Sequence, residues 1–314
     1  MWNVGFCDRK FVLGSATCPI APSPRRNTLA AKPPPLPTVG KRQLARELRQ
    51  RREAAGLTLD QVATELDWAK TKVHNYENGR WTRGNLTDLR ALLDLFGVTD
   101  ADRRESLETL MRDAKKKGWW VAYGDAFEGS LPAFEDESAQ ISSYEPVFIP
   151  GLLQTPEYTG RLMRAYSFLT PDDIERRVEA RMRRQEILKR STPPILSFVI
   201  EEAAVQRLVG SLRVFEPQIQ HLIDVAESSA QASIQIMPLR SGLHGTLGSS
   251  FMILDFDGDF DLSIVHSETA TRSAYIESKE EVALHRNMFT QACGNALSQS
   301  SSSTLLKTLL KQHK

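Results

Sequence analysis

Between positions 70 and 75 the chain carries Lys70, Thr71, Lys72, His74 and Asn75, short or cationic hydrogen-bonding groups with no acid among them. Val73 and Tyr76 supply apolar positions in the same segment, so a helix here buries one face and presents donors and acceptors on the other. Such a face suits the major groove of DNA, which admits one helix and displays hydrogen-bonding base edges. On an isolated helix the same residues are only a solvated surface, and the neighbouring elements decide between the two. Other candidate chemistry is thinner. Asp255, Asp257, Asp259 and Asp261 alternate like the acids of a calcium loop. That loop needs glycine sixth and glutamate twelfth, where this chain has Phe260 and His266. A polar hairpin with buried phenylalanines accounts for the segment better. His244, His266 and Glu268 lack metal-ligand spacing, and Gly242, Gly245 and Gly248 precede a strand rather than the helix of a phosphate cradle. No catalytic residue, metal site or cofactor is assigned, and a non-enzyme is expected.

The elements around position 70 form the required corner. Val62, Ala63 and Leu66 recur at helical spacing, with Thr58 as N-cap. The next helix follows after a turn too short for anything but a sharp bend, and Gly79 closes it at the C-cap, giving a recognition helix of about 69–78. Upstream, 41–54 reads as a helix on the stripe of Leu44 and Leu48, ended by Gly56. Downstream, 85–96 buries Leu86, Leu89, Leu92, Leu93 and Phe96, and 100–117 ends in Lys115, Lys116 and Lys117. Five helices in residues 41–118 predict a compact all-α domain.

Whole-chain composition sets the frame. The 314 residues allow two domains, and 41% hydrophobic content is ordinary for a globular protein. Net charge is only +1, yet residues 41–118 hold seventeen Lys or Arg against thirteen Asp or Glu, as a small DNA-binding domain needs. Cys7, Cys18 and Cys293 lie far apart, fitting neither a disulfide framework nor a zinc site, and a cytoplasmic location is expected. No apolar run approaches the roughly 18 residues of a membrane span. Residues 1–40, rich in proline from 19 to 37, read as a disordered arm, with translation from Val39 as a second reading. A contact of Arg25, Arg26 and Lys32 of that arm with DNA is a further alternative rather than the expectation.

From Trp119 the texture changes, and 119–297 reads as an α+β domain. Helices are expected at 155–168, 171–190, 214–228 and 279–297, with Pro171 in the first turn of the second. Strands are expected at 195–200, 233–238, 250–256, 260–266 and 271–276, the third and fourth joined by Asp257-Gly258. An acidic helix starts from Glu201. Residues 298–303 read as a serine linker to a short basic tail helix. Arg176, Arg177, Arg181, Arg183, Arg184 and Arg190 are interleaved with Asp172, Asp173, Glu175, Glu179 and Glu186, so pairing within the helix is the simplest account. Trp119, Trp120, Tyr123 and Phe127 read as interdomain packing, and a small-molecule effector site in 119–297 stays open.

With these motifs placed, the chain resembles the lambda-repressor-like (XRE/Cro) helix-turn-helix regulators, most closely the actinobacterial antitoxin-like subgroup with a long uncharacterised C-terminal domain. Leu44 to Phe96 carry the N-terminal resemblance, with Tyr76-Glu77-Asn78-Gly79-Arg80 its most recognisable piece. The C-terminal resemblance rests on Glu145-Pro146, Phe148 to Thr155, Tyr158, Arg181 to Gln185, Ile200 to Ala204, Gln235 to Leu239, Gly242-Leu243-His244 and Phe251. It implies base contacts from Lys70, Thr71 and Asn75, and peripheral positions for Lys72 and His74. It places Thr58, Asn78, Arg80 and Arg83 along the phosphates. Arg52 and Glu77 match a buried ion pair that steadies the recognition helix. Ala69 stands where relatives carry serine or threonine, and Asn75 where they carry arginine, so the cap is weaker and the operator is not transferable. One such domain buries too little surface for high specificity, so a homodimer on double-stranded DNA is expected. The resemblance further implies a small protein partner encoded nearby. Two functions follow: a sequence-specific transcriptional regulator, or an antitoxin-like module that sequesters its partner and uses DNA binding for autoregulation.

Overall fold

The computed structural model describes residues 38–81, 84–113, 118–124, 126–127, 130–166, 169–228, 231–257, 262–269 and 273–312. Five helices come first: α1 (Val39–Ala54), α2 (Leu59–Glu65), α3 (Lys70–Tyr76), α4 (Leu86–Leu95) and α5 (Ala101–Asp113). Each contributes its apolar stripe to one core of Leu44, Leu48, Val62, Val73, Tyr76, Leu89, Leu92, Leu93, Leu107 and Met111. Thr58 caps α2 with a reciprocal box, its side chain accepting from the Gln61 amide while the Gln61 side chain accepts from the Thr58 amide. The lysines 115–117 expected at the end of α5 lie outside the described residues.

The first helix begins two residues earlier than the expected 41. Helix α1 starts at Val39, whose side chain is 2% exposed and packs in the core of the following domain. Burial of that isopropyl group gives the backbone a reason to be ordered before position 41. Arg25, Arg26 and Lys32 lie outside the described residues.

The second domain is built on a six-stranded mixed sheet in the order β3-β2-β1-β4-β5-β6. A 3-10 turn (Trp119–Tyr123) and α6 (Leu131–Glu137) precede β1 (Gln140–Glu145). Then come α7 (Pro156–Arg164), α8 (Pro171–Arg184), β2 (Ile195–Glu201), α9 (Glu202–Gln206), α10 (Leu212–Ser228) and β3 (Ala232–Met237). The chain finishes with β4 (Phe251–Asp255), β5 (Ser263–Glu268), β6 (Ser273–Ile276), α11 (Lys279–Asn295) and α12 (Gln299–Gln312). Strands β1, β2 and β3 are parallel, whereas β4 runs antiparallel to β1, β5 to β4 and β6 to β5. One face of the sheet packs on α6, α7, α10 and α12, and the other on α11 through Val282, Phe289 and Ala292.

Four expectations need correction. Strand β1 is absent from the sequence reading, although it lies at the centre of the sheet between β2 and β4. Its residues, Gln-Ile-Ser-Ser-Tyr-Glu, offer no run of β-branched side chains, and Ser142 and Ser143 are nonetheless buried. The serine run is not a linker but the first turns of α12: Ser298 accepts from the Ser301 amide, and Ser302 is 1% exposed. Leu306, Leu309 and Leu310 bury the rest of α12 against the main core, which holds the serines in helix. Pairing along the helix does not account for the arginines of α8 by itself, since four of them bond to other elements. Arg176 donates to the Ala122 carbonyl, Arg177 to that of Ala126, Arg181 to Gln154 and Arg184 to Glu135, because α8 packs its basic side against those segments. The aromatic group sits on α8 too: Trp119 lies edge-on to Trp120, Tyr123 and Phe127, and the Tyr123 hydroxyl donates to Glu179. The Asp257-Gly258 turn falls partly outside the described residues, as Gly258 to Asp261 do. Asp255 of the supposed calcium loop is engaged by Arg286 and Ser263, and Phe256 is buried.

The two domains touch through the first turn of α1. Beside Val39, the Arg42 guanidinium lies 5.1 Å from the centroid of the Phe134 ring and pairs with Glu277. Burial pulls Arg42 down to about 10, still far above neutrality.

Candidate nucleic-acid interface

Helix α3 is short, and both of its ends are defined by local chemistry. Ala69 precedes it with no side-chain cap, leaving the first amides without a hydroxyl acceptor. At the other end Gly79 takes φ +65°, the Gly79 amide bonds to the Tyr76 carbonyl at 3.4 Å, and the Arg80 amide bonds to that of Asn75 at 3.0 Å. This paired closure needs a residue in the left-handed region, which glycine enters without a Cβ clash. The regular helix stops at Tyr76, two residues before the expected end, because the last turn tightens into that closure.

The inner face of α3 is fixed by three contacts. Val73 is fully buried. Tyr76 stacks between Trp68 and Trp81, with ring centroids 5.9 and 5.3 Å away, and its hydroxyl donates to Asp88 at 2.8 Å. Burial and that carboxylate push the Tyr76 hydroxyl up, so it stays protonated. Glu77, 6% exposed, accepts two bonds from Arg52 of α1, from Nε at 2.6 Å and Nη2 at 3.1 Å. The pairing raises Arg52 above its ordinary range, and its Nη1 donates to the Leu57 carbonyl at 2.7 Å. A bidentate fork of this kind fixes orientation as well as energy.

The outer face is open. Thr71, His74, Asn75 and Arg80 are exposed, and none makes a side-chain hydrogen bond among the described residues. Lys70 is exposed and pairs with Asp60 at 2.8 Å across the corner. Lys72 is committed inward: it bonds to Asp88 at 2.9 Å and its ammonium sits 3.6 Å from the centre of the Trp68 ring. Asn78 donates to the His74 carbonyl at 2.7 Å. The Thr58 hydroxyl is occupied by the capping box, and Arg83 lies outside the described residues. The sequence reading missed Arg49. From α1 it donates to the Glu77 carbonyl at 3.2 Å and to Asn78 Oδ1 at 3.3 Å, placing a half-exposed guanidinium beside the end of α3. Only the tertiary packing of α1 against α3 brings it there. Its type and position alone gave no signal.

The comparison with known families fits this arrangement. A profile described as a helix-turn-helix domain matches residues 43–106, and one described as a domain of unknown function (DUF5753) matches residues 129–308, more than half of the chain. The chain belongs to the DUF5753 family. The helix-turn-helix match points to DNA as a partner and to a regulatory role. No curated protein and no solved structure matches the chain. The DUF5753 match extends across the first ten residues of α12, consistent with that helix being part of the domain. Among the described residues no cluster of His, Cys, Asp or Glu fits a metal ion, and no helix is long and apolar enough to cross a membrane.

Proposed function

We propose that the chain is a sequence-specific DNA-binding transcriptional regulator whose α3 enters the major groove. Lys70, Thr71 and Asn75 read base edges, while Asn78, Arg80 and Arg49 follow the phosphates. The observation that carries this reading is the outer face of α3, which keeps uncommitted hydrogen-bonding side chains while its inner face is locked by Arg52–Glu77. Exchanging the exposed Lys70–Asp60 pair for a base costs little, since such pairs are worth about 0–1 kcal/mol. The domain is small, so the protein acts as a homodimer on half-sites about 34 Å apart. It works in the cytoplasm by binding rather than turnover. The test is fluorescence anisotropy on the DNA upstream of its own gene, across a salt series, with Lys70→Ala/Asn75→Ala alongside wild type. The expected result is preference over scrambled DNA that falls roughly tenfold to a hundredfold in the variant, the scale of a bidentate base contact. Weak binding, steep in salt and equal in both proteins, is phosphate attraction alone and overturns the reading.

A second reading is an antitoxin-like module in which the DUF5753 domain captures a small protein. It is favoured by the loop between β3 and β4, where Leu239, Leu243 and Leu247 are 57%, 89% and 50% exposed. Co-purification with the adjacent gene's product, lost in Leu243→Asp, supports it, and failure of the two purified proteins to associate removes it.

A further inference from the structure

On the sheet face opposite α11, the second domain holds two arginines of which only one has an ion-pair partner among the described residues. Arg184 of α8, whose side chain is 9% exposed, forms a fork on Glu135, which is fully buried. One turn earlier on the same helix, Arg181 makes a single side-chain hydrogen bond, from Nη1 to Gln154 Oε1 at 2.6 Å. Gln154 is itself held in place, donating to the Ile149 carbonyl at 2.7 Å and accepting from Thr159 at 3.1 Å. No carboxylate lies within ion-pair distance of Arg181 among the described residues, and four of its five N–H donors have no partner there. Burial lowers Arg181 to about 10, with the neighbouring Arg184 acting in the same direction. It is charged at neutral pH all the same.

Within electrostatic reach of Arg184 is His266 of β5, 4% exposed, whose buried Nε2 has no hydrogen-bond partner among the described residues. Its ring lies 4.9 Å from that of Tyr275, and burial together with Arg184 pulls it down to about 4, so it is neutral at physiological pH. A neutral imidazole in the Nε2–H form is a donor awaiting an acceptor. The acids nearby do not fill this role. Glu145 at the end of β1 is pushed up to about 7 by burial and is satisfied by Ser143 and Ser250. Glu268, exposed at the end of β5, acts on Arg181 from beyond ion-pair distance. Buried charges and buried polar atoms are ordinarily paired, and a guanidinium fork with free donors matches the oxygens of a carboxylate or phosphate.

We propose that Arg181 and His266, with Arg184 behind them, form a binding site for a small anion carrying a carboxylate or phosphoryl group. The Arg181 fork supplies two donors and His266 a third, and the anion's charge offsets the unpaired guanidinium. The site is independent of the DNA-binding reading, because none of its residues belongs to the helix-turn-helix domain.

The test uses the full chain without DNA, titrated calorimetrically with inorganic phosphate and with succinate against chloride at matched ionic strength. The expected result is saturable one-to-one binding of one of the two, which also tells phosphoryl from carboxylate ligands. Binding weakens at least about tenfold in Arg181→Gln and in His266→Phe, each removing a charge-assisted or direct donor. It is unchanged in Lys70→Ala/Arg80→Ala, which removes cations from the DNA face. Arg181→Gln without ligand melts at or above the wild-type temperature, because a half-buried charge without an ion-pair partner has been removed. Three results overturn the proposal. The first is no saturable binding of either anion. The second is binding lost in the DNA-face variant but kept in Arg181→Gln. The third is an Arg181→Gln protein that fails to fold or melts as low as Arg184→Gln, which marks the guanidinium as a structural partner of the domain.

Discussion

The corner between α2 and α3 turns on Asp67, which takes φ +51° while the end of α3 uses Gly79 for the same conformation. The left-handed region costs a side-chain-bearing residue about 1–2 kcal/mol, and glycine's extra chain entropy returns roughly 0.5–1 of it. Asp67→Gly is therefore expected to stabilise the helical domain by about 0.5–1 kcal/mol in denaturant unfolding, with α3 unmoved. Removing Arg52 has the opposite sign. Arg52→Ala strands the buried Glu77 carboxylate, but Arg49 stands 3.8 Å from it and takes up part of the loss. The expected cost is about 2–3 kcal/mol, the lower part of the range for a broken buried pair, and Arg49→Ala/Arg52→Ala should cost more than the sum of the singles. His266 governs acid stability. Its folded value of about 4 lies below the ordinary 6.5, so its contribution is complete above pH 6.5 and is lost as pH falls toward 4. Glu145, raised to about 7, acts with the opposite sign between 7 and 4.5 and flattens the raw curve. The difference between wild type and His266→Phe isolates the histidine and should reach on the order of 3 kcal/mol across that window. The Thr58 and Gly79 caps were legible in the sequence because capping chemistry is local. The surroundings of His266 were not, since they come from α8, β6 and β5 together.

At the scale of elements, α12 shows how tertiary context overrides composition. Six of its residues are serine or threonine, poor helix formers that compete for their own backbone. They are helical because α12 covers the outer edge of β3. The Leu297 amide donates to the Ile236 carbonyl at 2.9 Å, and the Ile236 amide donates to Ser302 Oγ at 2.9 Å. An edge strand with both groups bare is a template for pairing with another chain. Ser302→Ala is expected to cost about 1–2 kcal/mol by orphaning that buried amide. Removing residues 298–312 should convert the protein to a concentration-dependent aggregate in light scattering, with a monomer-sized peak for the full chain refuting that role for the helix. Strand β1 illustrates the complementary failure. Helix α8 and strand β2 were readable from period, proline and β-branched content. A central strand of Gln-Ile-Ser-Ser-Tyr-Glu was not, because its place is set by two neighbours rather than by its own side chains.

On the scale of the whole molecule, a net charge of +1 conceals an uneven distribution in which residues 1–118 are basic and residues 119–314 are acidic. The two-domain organisation and the helical corner were legible from charge and period. The contact between the domains was not, because Val39, which is buried in it, falls in the segment expected to be the arm. That contact has a mechanical consequence. Helix α1 runs sixteen residues, about 24 Å. Its first turn is seated in the second domain through Val39 and Arg42, and its last turns hold α3 through Arg49 and Arg52. A continuous helix resists bending, so a tilt imposed at one end reappears at the other as a change in the tilt of α3. The helix-turn-helix domain and the DUF5753 domain share one axle.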